Sequence, residues 1–239
     1  MKTNLLGKNT SKLRLKGLKI LDVIERNKSN IKHGIDIWNV YDFLYLNKGI
    51  PALKILEIII PSSSRFIIES KSMKLYLNSF YKKSFNNDKQ ILELIRHDLE
   101  GLLGSDLSIK FINKFNKEPS YLDLNKYKNK TTKKNKIIKF NGFRSICPVT
   151  SQPDFANIYI YCDTPIDTNW LLDYLISFQN KGDFHEQCIE SIFLKIMNQY
   201  NCNHLEVCGR FQRRGGIDIN PIRGDKKKIL FSNFREFNQ

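Results

Sequence analysis

No stretch of this chain approaches the roughly eighteen uninterrupted apolar residues that a membrane helix needs. The longest run, ILEIII at 55–60, is broken by Glu57. The opening MKTNLLGKNTSKLRLKG is basic but has no continuous apolar core and no small-residue cleavage site. A secretory signal is therefore not expected, and the cytoplasm is the default location. No G-x-x-x-x-G-K-[ST] and no G-x-G-x-x-G follows a strand-like run, so a nucleotide would not be held by a P-loop or a Rossmann cradle. The five cysteines (147, 162, 188, 202 and 208) contain no C-x2-C pair. An odd set in a chain of this size does not suggest a disulfide framework. A zinc set drawn from Cys188, Cys202, His204 and Cys208 has no close pair to anchor it and is not expected. Cys162 and Cys208 lie in apolar, strand-like runs and read as small core hydrophobes.

What is present is ordinary globular material: 239 residues, 41% hydrophobic and 26% charged, enough for one large domain or two small modules. The net charge of +15 admits a polyanionic partner such as RNA. The lysines are nevertheless spread along the chain among many asparagines and isoleucines. The densest cluster, KYKNKTTKKNK at 126–136, has no apolar periodicity and reads as a solvated linker.

Periodicity divides the chain in two. DIWNVYDFLYL (36–46), ALKILEIIIP and SRFIIES are predicted strands. Helices are predicted over SKSMKLYLNSFYKKSF and over DKQILELIRHDLEGLLG, the second opened by Asp88 and closed by glycine. DLSIKFINKF (106–115) returns as a strand, and residues 116–140 form a polar crossing. The order then recurs: strand ANIYIYC, helix IDTNWLLDYLISFQ with Asp167 or Thr168 near its cap, and helix FHEQCIESIFLKIMNQY. In the last, Phe184, Cys188, Ile189, Ile192, Phe193, Ile196 and Met197 form one apolar stripe. HLEVCGRFQ and GIDINPI close as strands. The fold class is α+β, a duplication of antiparallel sheets, each with a pair of helices.

Four segments carry candidate chemistry. In CPVTSQPD (147–154), Pro148 pushes Cys147 out of helical geometry and Pro153 restrains the approach to Asp154. A thiol and an acid on one stiff segment suit an addition in which carbon is attacked while a heteroatom takes a proton. A buried cysteine in a turn, with Asp154 capping the loop, fits the same residues. Arg144 is a basic neighbour that would favour thiolate. In FHEQC, Asp183 and Glu186 have capping-box spacing; exposed, His185 and Glu186 would instead offer a titratable group and an acceptor for adjacent N–H donors on a guanine-like edge. At 69–80 the amides of a helix start, with Ser70, Lys71 and Lys74, offer a phosphate seat or an ordinary cap. In RFQRRGGID, arginines precede a glycine pair, as for gripping phosphate or in a basic hairpin.

Taken in order, E-S-K-S-x-K-L-Y (69–76), CPVTSQPD, FHEQC and RRGGIDINP resemble the sequence blocks of the NADPH-dependent 7-cyano-7-deazaguanine reductases of the queuosine pathway. The resemblance spans residues 35–223. With the first block in the earlier half and the cysteine in the later one, the chain looks like the bimodular branch of this nitrile reductase family. That likeness implies two fused tunnelling-fold modules. It assigns 1–34 to an N-terminal extension, 35–115 to a module with the E-S-K-S motif, 116–140 to the linker and 141–239 to a module with the catalytic cysteine. It also implies a homodimer, a site assembled from two modules or subunits, and neither a metal, a membrane nor direct nucleic-acid binding.

Residue by residue, the resemblance makes Cys147 the nucleophile that forms a thioimide with the nitrile carbon, Asp154 the proton donor and His185 an assistant in proton transfer. Ile68, Glu69, Ser70, His185 and Glu186 would hold the deazaguanine. Ser70, Lys71, Arg214 and Gly215 would contact NADPH, used twice per turnover to reach 7-aminomethyl-7-deazaguanine. The competing expectations are a basic RNA-binding protein, a cysteine amidase or transferase of the same fold, and a degenerate relative without activity.

Overall fold

The computed structural model describes residues 17–27, 30–127 and 129–239. The opening segment read for a signal lies outside them apart from Gly17. Among the described residues no helix is long and apolar enough to cross a membrane. The chain divides into two compact units. Among the described residues the first comprises 17–27, 38–114 and 214–217, the second 30–37, 115–127, 129–213 and 218–239.

In the first unit, β1 (Val23–Glu25) pairs antiparallel with β4 (Phe66–Ile68). The long strands β2 (His33–Asn47, of which residues 33–37 are counted with the second unit) and β3 (Ile50–Pro61) are sheet neighbours joined through Lys48 and Gly49, with φ of 52° and 83°. Two successive positive φ angles give the hairpin turn whose twist matches that of the strands, and a glycine at the second position is the residue that suits it. β6 (Ser108–Ile112) pairs antiparallel with β3, and the two-residue β5 (Ser84–Phe85) adds a short parallel contact to β2.

Helix α1 spans Ser70–Asn78 and stops earlier than the predicted 70–85, because Phe80 turns into the core and residues 79–83 lead into β5. Helix α2 (Asp88–Leu103) buries Ile91, Ile95, Leu99 and Leu103 along one stripe. Its cap is Asn87, one residue before the predicted opener, and accepts from the Gln90 amide at 3.0 Å. Asp88 instead receives the Tyr45 hydroxyl and the Asn47 amide. The predicted closing glycine, Gly104, takes the left-handed cap at φ 60°.

The second unit is a sheet in the order β7 (Leu122–Asp123), β8 (Lys136–Ile146), β9 (Pro153–Cys162), β10 (Leu205–Phe211) and β11 (Ile217–Gly224). It is antiparallel except for the short β7–β8 contact. Helices α3 (Thr168–Ile176) and α4 (His185–Tyr200) cover one face. Asp167 caps α3 by accepting from the Trp170 amide at 2.8 Å. The predicted stripe of α4 is buried at Cys188, Ile189, Ile192, Phe193 and Ile196. Its partners across the core are Ala156, Ile158, Ile160 and Cys162 of β9 and Leu205, Val207 and Phe211 of β10. These are the positions that period-two alternation assigns to one face.

The opposite face is closed by polar contacts. Asn157 and Tyr159 bond to Glu236, Arg210 to Asn233 and Phe234, and the Glu206 carboxylate accepts the amides of Leu230 and Phe231. On this unit, Arg223 bonds to Asp36 at 2.7 Å and to Glu190 at 2.8 Å.

The lysine-rich crossing is not solvated throughout. Strand β8 begins inside it at Lys136, because Ile138 and Phe140 alternate into the core. Thr132 is buried, its amide donating to Ile166 O at 2.9 Å and its hydroxyl accepting from Ile166 N at 2.8 Å.

Candidate functional site

In the second unit, β8 and β9 form a hairpin in which Ser145 lies opposite Asp154 and Ile146 opposite Pro153. One more backbone bond, Cys147 N to Gln152 O at 2.9 Å, carries the ladder into the loop. Cys147 is thus two residues beyond Ser145 and diagonal to Asp154 on the same face. Diagonal neighbours lie about 7–8 Å apart, which leaves room for a small group between two short side chains.

That shared face depends on a bulge. Phe140 pairs with Ile158 but Phe143 pairs with Ala156, so β8 spends one extra residue here, with Gly142 at φ 85°. Before the bulge the core-facing residues of β8 are Ile138 and Phe140; after it they are Phe143, Ser145 and, by continuation, Cys147. Without the extra residue, the period of two would turn Cys147 to the other face of the sheet.

The chain then returns beside β8. Ile146 N donates to Lys181 O at 2.9 Å, and Ile146 bridges Gly182 in parallel. Arg144, expected to favour the thiolate, instead bonds to Gln179 O and, at 3.3 Å, to Asn180 Oδ1, holding this returning segment. Helix α4 therefore starts next to the hairpin end. His185 Nε2 lies 3.3 Å from Asp154 Oδ2. The imidazole stacks on Phe211 with ring centres 3.9 Å apart and 9° between planes. Gly209 makes this packing possible, since a Cβ there would lie 2.7 Å from Ile189 Cδ1 and 2.8 Å from Phe211 Cε2.

Burial sorts the candidates further. Cys147 is half-buried, whereas Cys162, Cys188, Cys202 and Cys208 are all buried. Burial pushes the Cys188 and Cys208 thiols up to about 12, which makes them poor nucleophiles. Asp154 is 4% exposed, Glu186 3% and the His185 side chain 15%, so of the two alternatives for His185–Glu186 the exposed pair does not hold. Nor do Asp183 and Glu186 form a capping box. The cap residue is Phe184, whose amide donates to Gln187 Oε1 at 3.2 Å. Cys188, Cys202, His204 and Cys208 do not gather as a metal set; among the described residues the one such group is Cys162, Asp163 and Cys202. Phe211 and Gly209 went unnoticed in the sequence because one aromatic and one glycine in a strand carry no motif.

In the first unit, Ile68 ends β4 buried against β1, opposite Val23. Glu69 then caps α1: its carboxylate accepts from Lys71 N at 2.8 Å and Ser72 N at 2.7 Å. These amides are consequently not open to a phosphate; an anion already neutralises the helix start. Ser70 and Lys71 are half-buried on its first turn. Lys74, one turn on, runs beside the glycine pair, since a Cβ on Gly215 would meet its Cδ at 3.3 Å. Gly215 and Gly216 have φ of 58° and 78°, and Gly216 O accepts from Tyr41 N at 2.9 Å. A Cβ on Gly216 would fall 2.5 Å from Asp42 Oδ2, so only glycine fits this turn. Arg214 closes the turn through its amide to Ile217 O at 2.9 Å. Of the three cations Lys71, Lys74 and Arg214 in this unit, Lys74 lies against Gly215, while the Asp42 carboxylate lies against Gly216.

Comparison with known proteins adds a further observation. Residues 14–111 match the family model described as nitrile reductase, 7-cyano-7-deazaguanine-reductase N-term, and residues 153–229 match that described as QueF-like protein. Ile68, Glu69, Ser70 and Lys71 fall in the first match, and Asp154, His185, Glu186, Arg214 and Gly215 in the second; Cys147 lies between them. The chain is 39% identical over 223 residues to the NADPH-dependent 7-cyano-7-deazaguanine reductase of Buchnera aphidicola subsp. Schizaphis graminum, covering 80% of this chain and 82% of that protein. The enzyme of the same name from Desulfotalea psychrophila is 39% identical over 214 residues, 80% of this chain and 78% of its own. That from Coxiella burnetii is 34% identical over 233 residues, 87% and 82% respectively.

Proposed function

The chain belongs to the nitrile reductase family of 7-cyano-7-deazaguanine reductases, and we propose that it reduces the nitrile of 7-cyano-7-deazaguanine to the aminomethyl group with NADPH, a step of queuosine biosynthesis. The observation that carries the catalytic part is the hairpin end, where the one half-exposed cysteine shares a face with Asp154 under His185.

Cys147 thiolate attacks the nitrile carbon. A carbon–sulfur bond forms, one π pair of the triple bond moves to nitrogen, and Asp154 delivers the proton that nitrogen takes up, leaving a thioimide on Cys147. His185, 3.3 Å from Asp154, relays protons to it. NADPH supplies a hydride in each of two steps. Between them the carbon–sulfur bond breaks, and Cys147 leaves as thiolate. Ile68, Glu69, Ser70, His185 and Glu186 hold the deazaguanine. Glu69 contributes chiefly by fixing the main chain of this corner, because both its oxygens are engaged by α1. Ser70, Lys71, Arg214 and Gly215 contact NADPH phosphates, a reading supported by Lys74 lying against Gly215.

The architecture is two fused tunnelling-fold modules, supported by a sheet with two helices in each unit, and the working form is a homodimer in the cytoplasm. In this reading the nucleophile, acid and relay are all side chains.

Protein mixed with 7-cyano-7-deazaguanine without NADPH should gain one substrate mass and a thioimide absorbance. NADPH should discharge the adduct, and Cys147→Ala should not form it. Folded protein that binds the compound with no adduct would refute covalent catalysis, and failure to bind it at all would refute the substrate assignment.

A further inference from the structure

Cys162 ends β9 and Cys202 follows α4 just past its left-handed cap, Asn201 at φ 44°. Their sulfurs nevertheless lie 2.8 Å apart, 2% and 6% exposed. The approach is built into the backbone. Leu205 pairs with Cys162, Asp163 N donates to His204 O at 3.0 Å, and Asn203 N donates to Asp163 Oδ1 at 3.1 Å, so both sides of the contact are tied down. Non-bonded heavy atoms settle roughly 3.5–4 Å apart, so this separation lies between ordinary contact and a bond of about 2.05 Å. Closing to a disulfide takes a movement of about 0.8 Å. A tetrahedral zinc ion with bonds of about 2.3 Å would instead drive the sulfurs about 1 Å further apart, against that backbone clamp.

We propose that Cys162 and Cys202 are a reversible thiol–disulfide site, oxidised by peroxide and separate from Cys147. Either sulfur can donate in this contact; with Cys162 as the acceptor its thiol is held below its ordinary value, and the Thr164 amide reaches the same sulfur at 3.4 Å. Cys162 is thus the first sulfur to react. Its thiolate takes one oxygen from hydrogen peroxide to give a sulfenic acid, releasing hydroxide. Cys202 sulfur then attacks the Cys162 sulfur, losing its proton, and water leaves. Two electrons pass from the sulfur pair to peroxide, and the hydroxide takes up the proton that the Cys162 thiol had lost, so that peroxide ends as two waters. The bond closes a loop over residues 162–202, which contains α3, α4 and the His185–Glu186 pair. Reversible oxidation would therefore stiffen this unit without touching Cys147.

The experiment uses the full chain carrying Cys147→Ala, so that the exposed thiol does not compete for peroxide. After stoichiometric hydrogen peroxide and alkylation, peptide mapping without reductant should find Cys162 joined to Cys202. The intact mass should fall by two hydrogens, dithiothreitol should reverse the change, and the unfolding midpoint should rise by about 5 °C or more. Cys202→Ser, or Cys162→Ala if that variant does not fold, should abolish the linkage. Both thiols remaining free in folded, peroxide-treated protein would overturn the proposal. So would one equivalent of Zn²⁺ held through dialysis by these two thiols, because the pair would then be a metal site.

Discussion

Gly209 tests whether close packing between α4 and β10 sets the position of His185. An alanine Cβ at 209 would stand 2.7 Å and 2.9 Å from Ile189 Cδ1 and Cγ1, and 2.8 Å from Phe211 Cε2. Carbon pairs rest near 3.5–4.0 Å, so each neighbour must withdraw by about 0.8 Å. Neither is the loose end of a flexible chain: Ile189 and Phe211 are both fully buried. Overpacking of this kind costs about 1–3 kcal/mol. Removing a glycine from the unfolded chain returns about 0.4–1 kcal/mol, which is too little to reverse the sign. Gly209→Ala should thus destabilise by about 1–2 kcal/mol and lower the unfolding midpoint by about 3–6 °C. Ile189→Val removes Cδ1, the closest atom, at its own cost of about 0.5–1.5 kcal/mol. The double variant should then be more stable than the summed single effects by about 0.5–1 kcal/mol. Because Phe211 carries the His185 ring, thioimide formation in Gly209→Ala should also slow by about tenfold. An unchanged midpoint together with an additive cycle would refute the argument that this glycine is a packing requirement.

Three further outcomes follow from the buried charges and caps. Arg223→Met leaves Asp36 and Glu190 without their shared, fully buried guanidinium and should cost about 3–5 kcal/mol; a loss below about 1 kcal/mol in urea titration would contradict it. Burial works against the Glu118 carboxylate, but hydrogen bonds with Tyr159 and Lys139 outweigh it and hold its carboxyl below the ordinary 4.5. A lowered folded value means that its contribution is complete above 4.5 and is lost as pH falls through the lower one. The acid limb of a stability–pH curve should accordingly flatten in Glu118→Gln, and an unaltered slope would show the pair to be without effect. Glu69→Ala removes two amide acceptors from the start of α1 and should cost about 1–2 kcal/mol, measured as a fall in the unfolding midpoint; no fall would mean that the cap is replaced by water.

Much was determined by order along the chain. Alternation in 36–46 and 156–162, the apolar stripe of α4 and the left-handed stop at Gly104 are local patterns whose physics needs few neighbours. The blocks E-S-K-S, CPVTSQPD, FHEQC and RRGGIDINP likewise carried the family likeness, because they are short, specific and ordered. Strand β8 was missed, since Lys136, Lys139 and Asn141 masked Ile138 and Phe140 before the bulge and Phe143 after it. What only tertiary structure decided is geometry between segments distant in sequence. The bulge at residues 140–143 decides which face Cys147 takes, and the parallel return at Gly182 brings His185 to Asp154. The start of α1 engages both Glu69 oxygens as a helix cap, which the order of residues alone left open. The sulfur contact between Cys162 and Cys202, forty positions apart in the chain, depends on β9 pairing with β10 in one register. Periodicity tells which residues face a core; the register of pairing decides which of them meet, and it is set by packing that no local stretch contains.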